Sequence, residues 1–142
     1  MLIVEIKSKN KTFASIVICF NPDNKVLLLK RSAHASFAPS LWGFAGGQSE
    51  EGENFKEAAI RETHEETGLK LLPEDLIKIT TFKSSDRSPV HVFGCKSFEG
   101  TVDMKRVADE HDDYRWVSLD DVSDYDTAPH TPALIQKAIS MF

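Results

Sequence analysis

An α/β domain, with a mixed sheet covered on its faces by two or three helices, is the fold class this sequence predicts. Three observations carry it. Six short runs of β-branched and apolar residues have strand length, and two longer segments carry helical periodicity. The strands are not regularly interleaved with helices, which argues against a βαβ array. At 142 residues and 15.9 kDa the chain has the length of one domain, spanning 1–142, long enough to bury a core but too short for two independent ones.

Taken in order, Thr12 to Phe20 and Lys25 to Lys30 are apolar, strand-like runs, and Asn21-Pro22-Asp23-Asn24 between them has turn composition. The expectation is an antiparallel hairpin with both strands mostly buried. Arg31 to Leu41 has loop character and contains Pro39, and Trp42 to Ala45 reads as a short strand leading into Gly46-Gly47. A helix is expected from about Asn54 to Thr67, with Asn54 as its N-cap and Gly68 as a left-handed C-cap ahead of Leu69. Leu76 to Lys83, Val90 to Phe98 and Tyr114 to Val117 resemble further strands. Thr131 to Phe142 reads as a closing amphipathic helix, with Pro132 in its first turn and Leu134, Ile135, Ala138 and Ile139 on the buried side.

Composition narrows the function classes. The formal net charge of −5 argues against a basic surface that holds nucleic acid through its phosphates, so an anionic ligand would need another source of positive charge. Cys19 and Cys95 are the only cysteines and sit in apolar runs, which suggests reduced core residues rather than a disulfide scaffold or zinc ribbon. The Leu2-Ile3-Val4 run meets Glu5 too soon for a signal peptide. No apolar stretch approaches the roughly 20 residues of a membrane span, and a cytoplasmic location without membrane partners is the expectation.

The most informative chemistry lies in GGQSEEGENFKEAAIRETHEETGL, residues 46–69. Glu62, Glu65 and Glu66 stand at i, i+3 and i+4, so they project from one side of a helix within an arc of roughly 100°. Such a run is commonly a solvated acidic face. No lysine lies among the three, however, and like charges at this spacing repel by a few tenths of a kcal/mol each. A bound dication turns that repulsion into coordination. Carboxylate oxygens are hard ligands, and Mg2+, with Mn2+ as a substitute, suits a site that must also receive phosphate oxygens. Glu53 before the helix and a backbone carbonyl near Gly47 can complete the set.

The spacing Gly47, Glu53, Arg61-Glu62, Glu65-Glu66, Gly68, followed by the aliphatic Leu69, resembles the Nudix box, which would here span residues 47–69. Seven specified residues at fixed offsets arise by chance with a probability on the order of one in a million. Ala45, where a proline often stands, and Thr63, at a usually aliphatic position, depart from the common form without removing a ligand. The resemblance implies a Nudix-type α/β/α sandwich with a mixed parallel and antiparallel sheet. It implies metal binding by Glu62, Glu65, Glu66 and a carbonyl near Gly47, an arginine, Arg61, that orients a glutamate by salt bridge, and an accessory metal or structural role for Glu53.

The implied activity is acid anhydride hydrolysis: metal-dependent cleavage of the diphosphate linkage in a nucleoside diphosphate derivative by water attack at phosphorus. Glu110, six residues before Trp116, resembles the late glutamate of several such enzymes, and Glu62 and Glu110 both stand as candidate general bases. Arg31, Phe37, Trp42, Phe44, Phe93 and Trp116 could line a nucleotide pocket, with Arg31, Trp42 and Phe44 singled out, although large aromatics in strands mostly pack inward. His64 is expected to be at the surface. A nucleoside triphosphate is the favoured substrate, with ADP-ribose or a nucleotide sugar as the alternative and a non-catalytic nucleotide-binding regulatory module as a further one. The oligomeric state, monomer or homodimer, is open.

Overall fold

A computed structural model describes residues 12–142, so the reading of Leu2 to Glu5 lies outside the described residues. Seven strands and three α-helices follow one another as β1 (Ala14–Cys19), β2 (Val26–Arg31), β3 (Trp42–Gly43), β4 (Ala45–Gln48), α1 (Phe55–Thr67), β5 (Ile77–Lys83), β6 (Pro89–Cys95), α2 (Met104–Val107), β7 (His111–Val117) and α3 (Thr131–Met141). They form a four-stranded sheet of order β4-β1-β6-β5 and a three-stranded sheet of order β3-β2-β7. The larger sheet is mixed, because β1 runs parallel to β6 while β4 and β5 run antiparallel to their neighbours.

Alternation along the strands sends side chains into two cores. Val17, Cys19, Leu27 and Leu29 enter one core with Ala59 of α1, and Ile18, Phe20, Val26 and Leu28 enter the other with Leu134, Ile135 and Ala138 of α3. The sheets are therefore covered on both faces, which is why β1 and β2 read as unbroken apolar runs. This is the expected α/β/α layering. Each fully buried aliphatic side chain contributes roughly 1.5 to 3 kcal/mol of transfer free energy. Cys19 and Cys95 are buried free thiols facing each other across β1 and β6, and burial raises both pKa values, as expected of reduced core residues.

The hairpin expected of the first two strands does not form. The turn is present, with the Asn21 side-chain carbonyl accepting from the N–H groups of Asp23 (3.0 Å) and Lys25 (2.9 Å) and Asn24 left-handed at φ 60°. Beyond the single bridge Phe20↔Val26 the strands part. Both edges of β1 are taken by β4 and β6, while β2 pairs with β3 and β7 in the other sheet. A turn brings two strands close, but pairing follows whichever partners bury both faces.

The expected strand Trp42 to Ala45 is two strands in different sheets, with Phe44 as the crossing point, and Gly46-Gly47 lie inside β4. Strand β6 stops at Cys95, short of the expected Phe98. Strand β7 begins at His111, three residues before the expected Tyr114, because pairing with β2 extends to Arg31↔His111 across a bulge. Helix α2 was not anticipated; it is four residues long and capped by Asp103, whose side chain accepts from the Lys105 N–H. In α3 the buried stripe is Thr131, Leu134, Ile135 and Ala138, while Ile139, expected inside, is rotated past its edge and 39% exposed. No helix among the described residues is long and apolar enough to cross a membrane.

Helix α1 is terminated as its sequence suggests. Asn54 and Glu57 form a reciprocal capping box, and Gly68 closes the helix at φ 86° with its N–H donating to the His64 carbonyl. The helix lies against β4 and β1, where Gly46 sits at φ 143°. A Cβ at Gly46 would fall 2.2 Å from the Ser15 carbonyl oxygen and 2.6 Å from the Ile16 Cα, both backbone atoms of β1. At Gly43 a Cβ would meet nothing within 4 Å. Gly46→Ala is therefore expected to cost on the order of 3 kcal/mol and lower Tm by about 10 °C, against a change of about 2 °C or less for Gly43→Ala, as read by thermal circular dichroism.

Candidate active site

The site is assembled from the last two turns of α1, the glycine pair of β4, and the segment that enters β7. Thr63, Glu66 and Thr67 lie on the buried side of α1, so the three glutamates are graded in exposure although they share one arc. Glu65 has a side chain 55% exposed, Glu62 18%, and Glu66 is 8% exposed as a residue. Glu66 Oε1 accepts a hydrogen bond from the Gly46 N–H at 3.0 Å. The Glu62 carboxylate lies over Gly47, with Oε1 2.6 Å from where a Cβ would stand. Glycine at both positions is thus what lets the carboxylates reach the strand.

Arg61 is the hub of this group. Its Nε donates to Glu53 Oε2 at 2.6 Å and its Nη2 to Glu53 Oε1 at 3.1 Å, a two-pronged pairing, and Nη2 also donates to the Gln48 carbonyl at 3.0 Å. Its Nη1 reaches Glu62 Oε2 at 3.0 Å and Glu65 Oε1 at 3.1 Å, with Glu50 at 3.5 Å. No lysine lies among the glutamates, and the salt bridge that the resemblance implies for Arg61 reaches three of them, Glu53, Glu62 and Glu65, and relieves part of their repulsion. Glu50 and the Gln48 carbonyl were not foreseen. Gln48 ends β4 and Glu50 lies in the loop before α1, thirteen and eleven residues ahead of Arg61, a proximity set by how the helix packs on the strand.

The electrostatics follow from burial and from these partners. Burial pushes Glu66 up to about 8, reinforced by the nearby charges of Glu62 and Glu110 and opposed by the Gly46 N–H. Burial also raises Glu62, against the lowering influence of Arg61 and of a hydrogen bond with Glu66. The Arg61 hydrogen bonds hold Glu53 below the usual carboxylate range, and the same contacts push Arg61 higher still. Two crowded carboxyls that resist ionising together are the signature of a missing positive charge. The donors are all oxygens, carboxylates with backbone carbonyls alongside, and this set fits a hard divalent cation. Among the described residues no three acidic, histidine or cysteine side chains already converge on one point, since Arg61 draws Glu62 and Glu65 toward itself.

The other expected residues fall in three places. Glu110 enters the group through strand pairing: its carbonyl accepts from the Ser32 N–H at 3.2 Å, and its charge acts on Glu66. Arg31 is beside it, opposite His111, with Nε donating to the Phe37 carbonyl at 2.8 Å and the guanidinium 5.8 Å from the exposed Phe37 ring. Trp42 and Phe44 pack toward the second core, where Trp42 meets Tyr125 edge-on at 5.1 Å. Phe93 is a core residue, and Trp116 stacks on Phe98. His64, expected at the surface, is half-buried with an Nδ1 that has no partner; the helix angle correctly turned it from Glu62, but the angle alone could not foresee α2 and its Arg106, which donates to the His64 carbonyl at 3.3 Å. Thr63 is fully buried with its hydroxyl oxygen unpartnered in the place of an aliphatic residue, a polar atom beneath the helix.

Comparison with known proteins places this geometry. The NUDIX domain family matches residues 10–138. The nucleoside triphosphatase NudI of Klebsiella pneumoniae is 31% identical over 124 residues, covering 78% of this chain and 86% of that protein. The CTP pyrophosphohydrolase of Escherichia coli is 30% identical over 120 residues, covering 84% and 85%. Among solved structures, MutT from Methanosarcina mazei superposes with a TM-score of 0.74 at 24% identity, covering 91% of this chain and 93% of that one, and supports the fold alone. The ORF135 protein of Escherichia coli superposes at 0.67 with 26% identity, covering 91% and 90%. A family match across nearly the whole chain, joined to a glutamate helix seated on paired glycines, makes this chain a member of the Nudix hydrolase family, whose enzymes generally depend on a divalent metal.

Proposed function

We propose that the chain hydrolyses a phosphoanhydride bond of a nucleoside triphosphate with a divalent metal, magnesium in the first instance. The observation that carries this reading is the seating of Glu66 on the Gly46 N–H and of Glu62 over Gly47, within reach of the Glu110 charge. The triphosphate preference draws support from the relatives named as a nucleoside triphosphatase and a CTP pyrophosphohydrolase.

In this reading Glu62, Glu65 and Glu66 hold the ion together with the Gly47 carbonyl, and Mn2+ can replace Mg2+. The ion supplies the positive charge that an acidic protein lacks, countering the phosphates and the charge that develops on the leaving group. Arg61 is a positioning residue: Glu53 and the Gln48 carbonyl grip two edges of its guanidinium, so the remaining nitrogen faces Glu62 and Glu65. Glu53 serves that grip rather than the reaction itself. A proton must leave the attacking water. Glu62 is already engaged by Arg61 and Glu66, which favours Glu110 as its acceptor. Arg31, next to Glu110 through the β2 and β7 pairing, would offer its guanidinium to a phosphate oxygen, whereas Trp42 and Phe44, expected to line the nucleotide pocket, pack toward the second core.

Glu65→Gln and Glu66→Gln are expected to lower kcat by about a hundredfold or more on a panel of nucleoside triphosphates with Mg2+, products being resolved by chromatography, while Tm stays within a few degrees. Near-normal rates in both variants would remove these residues from the site. Activity on ADP-ribose or a nucleotide sugar without activity on any triphosphate would move the substrate class and leave the metal site standing. Glu110→Gln separates the two bases: a loss of kcat with unchanged Mg2+ binding by calorimetry supports Glu110, and an unchanged kcat returns the role to Glu62.

The charge state also makes stability depend on pH. Glu66 titrates at about 8 when folded and near 4.3 when unfolded, so between these values the folded chain holds the extra proton. In EDTA its contribution is fully present below about pH 4.5 and lost as pH rises to about 8. Tm should fall across that window, by up to a few kcal/mol in stability, with Glu66→Gln flattening the slope and Mg2+ restoring Tm at the alkaline end. A Tm that rises from pH 5 to 8 in EDTA would contradict the crowding argument.

A further inference from the structure

Strands β1 and β6 are the parallel pair of the larger sheet, ending at Cys19 and Cys95. Beyond the carboxyl ends of these two strands the surface opens into a shallow crevice. That crevice is a cavity of about 220 Å³, with Asn21 and Pro22 following β1 on one side and the loop from Phe98 through Thr101 following β6 on the other. Trp116 and Tyr114 of β7 form its floor. Leu69, three residues past Glu66 at the end of α1, forms part of its wall, but none of the glutamates lines it. Tyr114 and Trp116 lie three and five residues along β7 from His111, roughly 10 and 17 Å away at the usual strand rise. Asn21 lies six residues beyond Ser15, the partner of Gly47, at roughly 20 Å.

The chemistry of the lining selects its ligand. The Phe98 and Trp116 rings are nearly parallel, 11° apart with centroids at 6.0 Å, and both are only partly buried, so aromatic faces and edges are presented at the cavity. The polar groups are neutral: the Tyr114 and Thr101 hydroxyls and the Asn21 amide. The Asn21 carbonyl is already occupied by the Asp23 and Lys25 N–H groups, which leaves its NH2 as the group's remaining donor. No lysine or arginine lines the space, and the chain is acidic overall, so nothing here compensates a phosphate. The volume is below the roughly 300 Å³ at which pockets for drug-sized molecules begin, which fits one fused ring system and excludes a dinucleotide.

We infer that this crevice is a second binding site, separate from the glutamate group, for an uncharged nucleobase or nucleoside stacked against Trp116 and Phe98. The site does not depend on the function proposed above, because none of its lining residues belongs to the glutamate cluster.

The test is a titration of the full-length, 15N-labelled chain with adenosine and with cytidine in EDTA, followed by amide and indole shifts, with AMP and CMP as charged comparisons. Saturable shifts of the Trp116 indole and of the Gly100 to Val102 amides are expected, with nucleotides binding more weakly there than nucleosides. Trp116→Leu should weaken binding about tenfold or more. Thr101→Trp, an exposed loop position at the mouth, should block it without touching the core, which keeps the test valid if Trp116→Leu fails to fold. The inference is overturned by the absence of saturable shifts at millimolar nucleoside, by shifts confined to Trp42, Phe44 and the Gly46-Gly47 amides, or by unchanged affinity in a folded Thr101→Trp variant. Pocket shifts that track protein concentration without nucleoside would assign the surface to a second copy of the chain and overturn it equally.

Discussion

How closely α1 can lie against β4 governs the rest of the site. Gly46 has no room for a side chain against the β1 backbone, and Gly47 has none beneath the Glu62 carboxylate. On the helix side the buried positions nearest the sheet are small, Ala58, Ala59 and Thr63. Small residues on both surfaces let the axes approach, and the approach takes Glu66 out of water and delivers it to the Gly46 N–H. The raised proton affinity of Glu66 is therefore a packing consequence before it is a chemical one. A larger residue at Gly47 would push the Glu62 carboxylate off the strand, and one at Gly46 would part β4 from β1 beneath it.

That desolvation is tolerable because the charges are balanced locally. Glu53 and the Gln48 carbonyl fix the Arg61 guanidinium on two edges, and the third serves Glu62 and Glu65. Breaking such an arrangement from one side leaves a partly buried charge unpaired, which costs more than the pair contributes when intact. The acidic group is thus held in a half-neutralised state, with one arginine set against several glutamates. The remaining deficit is what a divalent cation and then an anionic phosphate chain can share, and it reconciles a net charge of −5 with an anionic substrate class.

The architecture brings the remaining groups to the same end of the molecule by strand pairing. The chain changes sheets at Phe44, so that β3 belongs with β2 and β7 while β4 belongs with β1. One consequence is that the glycines meet α1. Another is that extending β7 back to His111 carries Glu110 toward Glu66 and sets Arg31 beside it. Trp42 of β3 and Phe44 at the crossing itself, close in sequence to the glycine pair, face the other core.

Much of this was legible beforehand, and the division has a physical cause. The glutamate helix and its Asn54 and Gly68 ends were readable, because helical periodicity and capping are set by neighbours within a turn or two, while the Arg61 salt bridge came only with the family resemblance and the packing reason for Gly46 and Gly47 only with the structure. The buried, helix-covered sheets were readable from unbroken apolar runs. The parting of β1 from β2, the sheet change at Phe44, the early start of β7 and the four-residue α2 were not, since strand partners are chosen by burial between segments far apart in sequence. The same limit applied within the site. Three glutamates at i, i+3 and i+4 are equivalent on paper; only the tertiary structure made Glu66 buried, Glu62 half-engaged and Glu65 exposed, because desolvation depends on what packs against the helix.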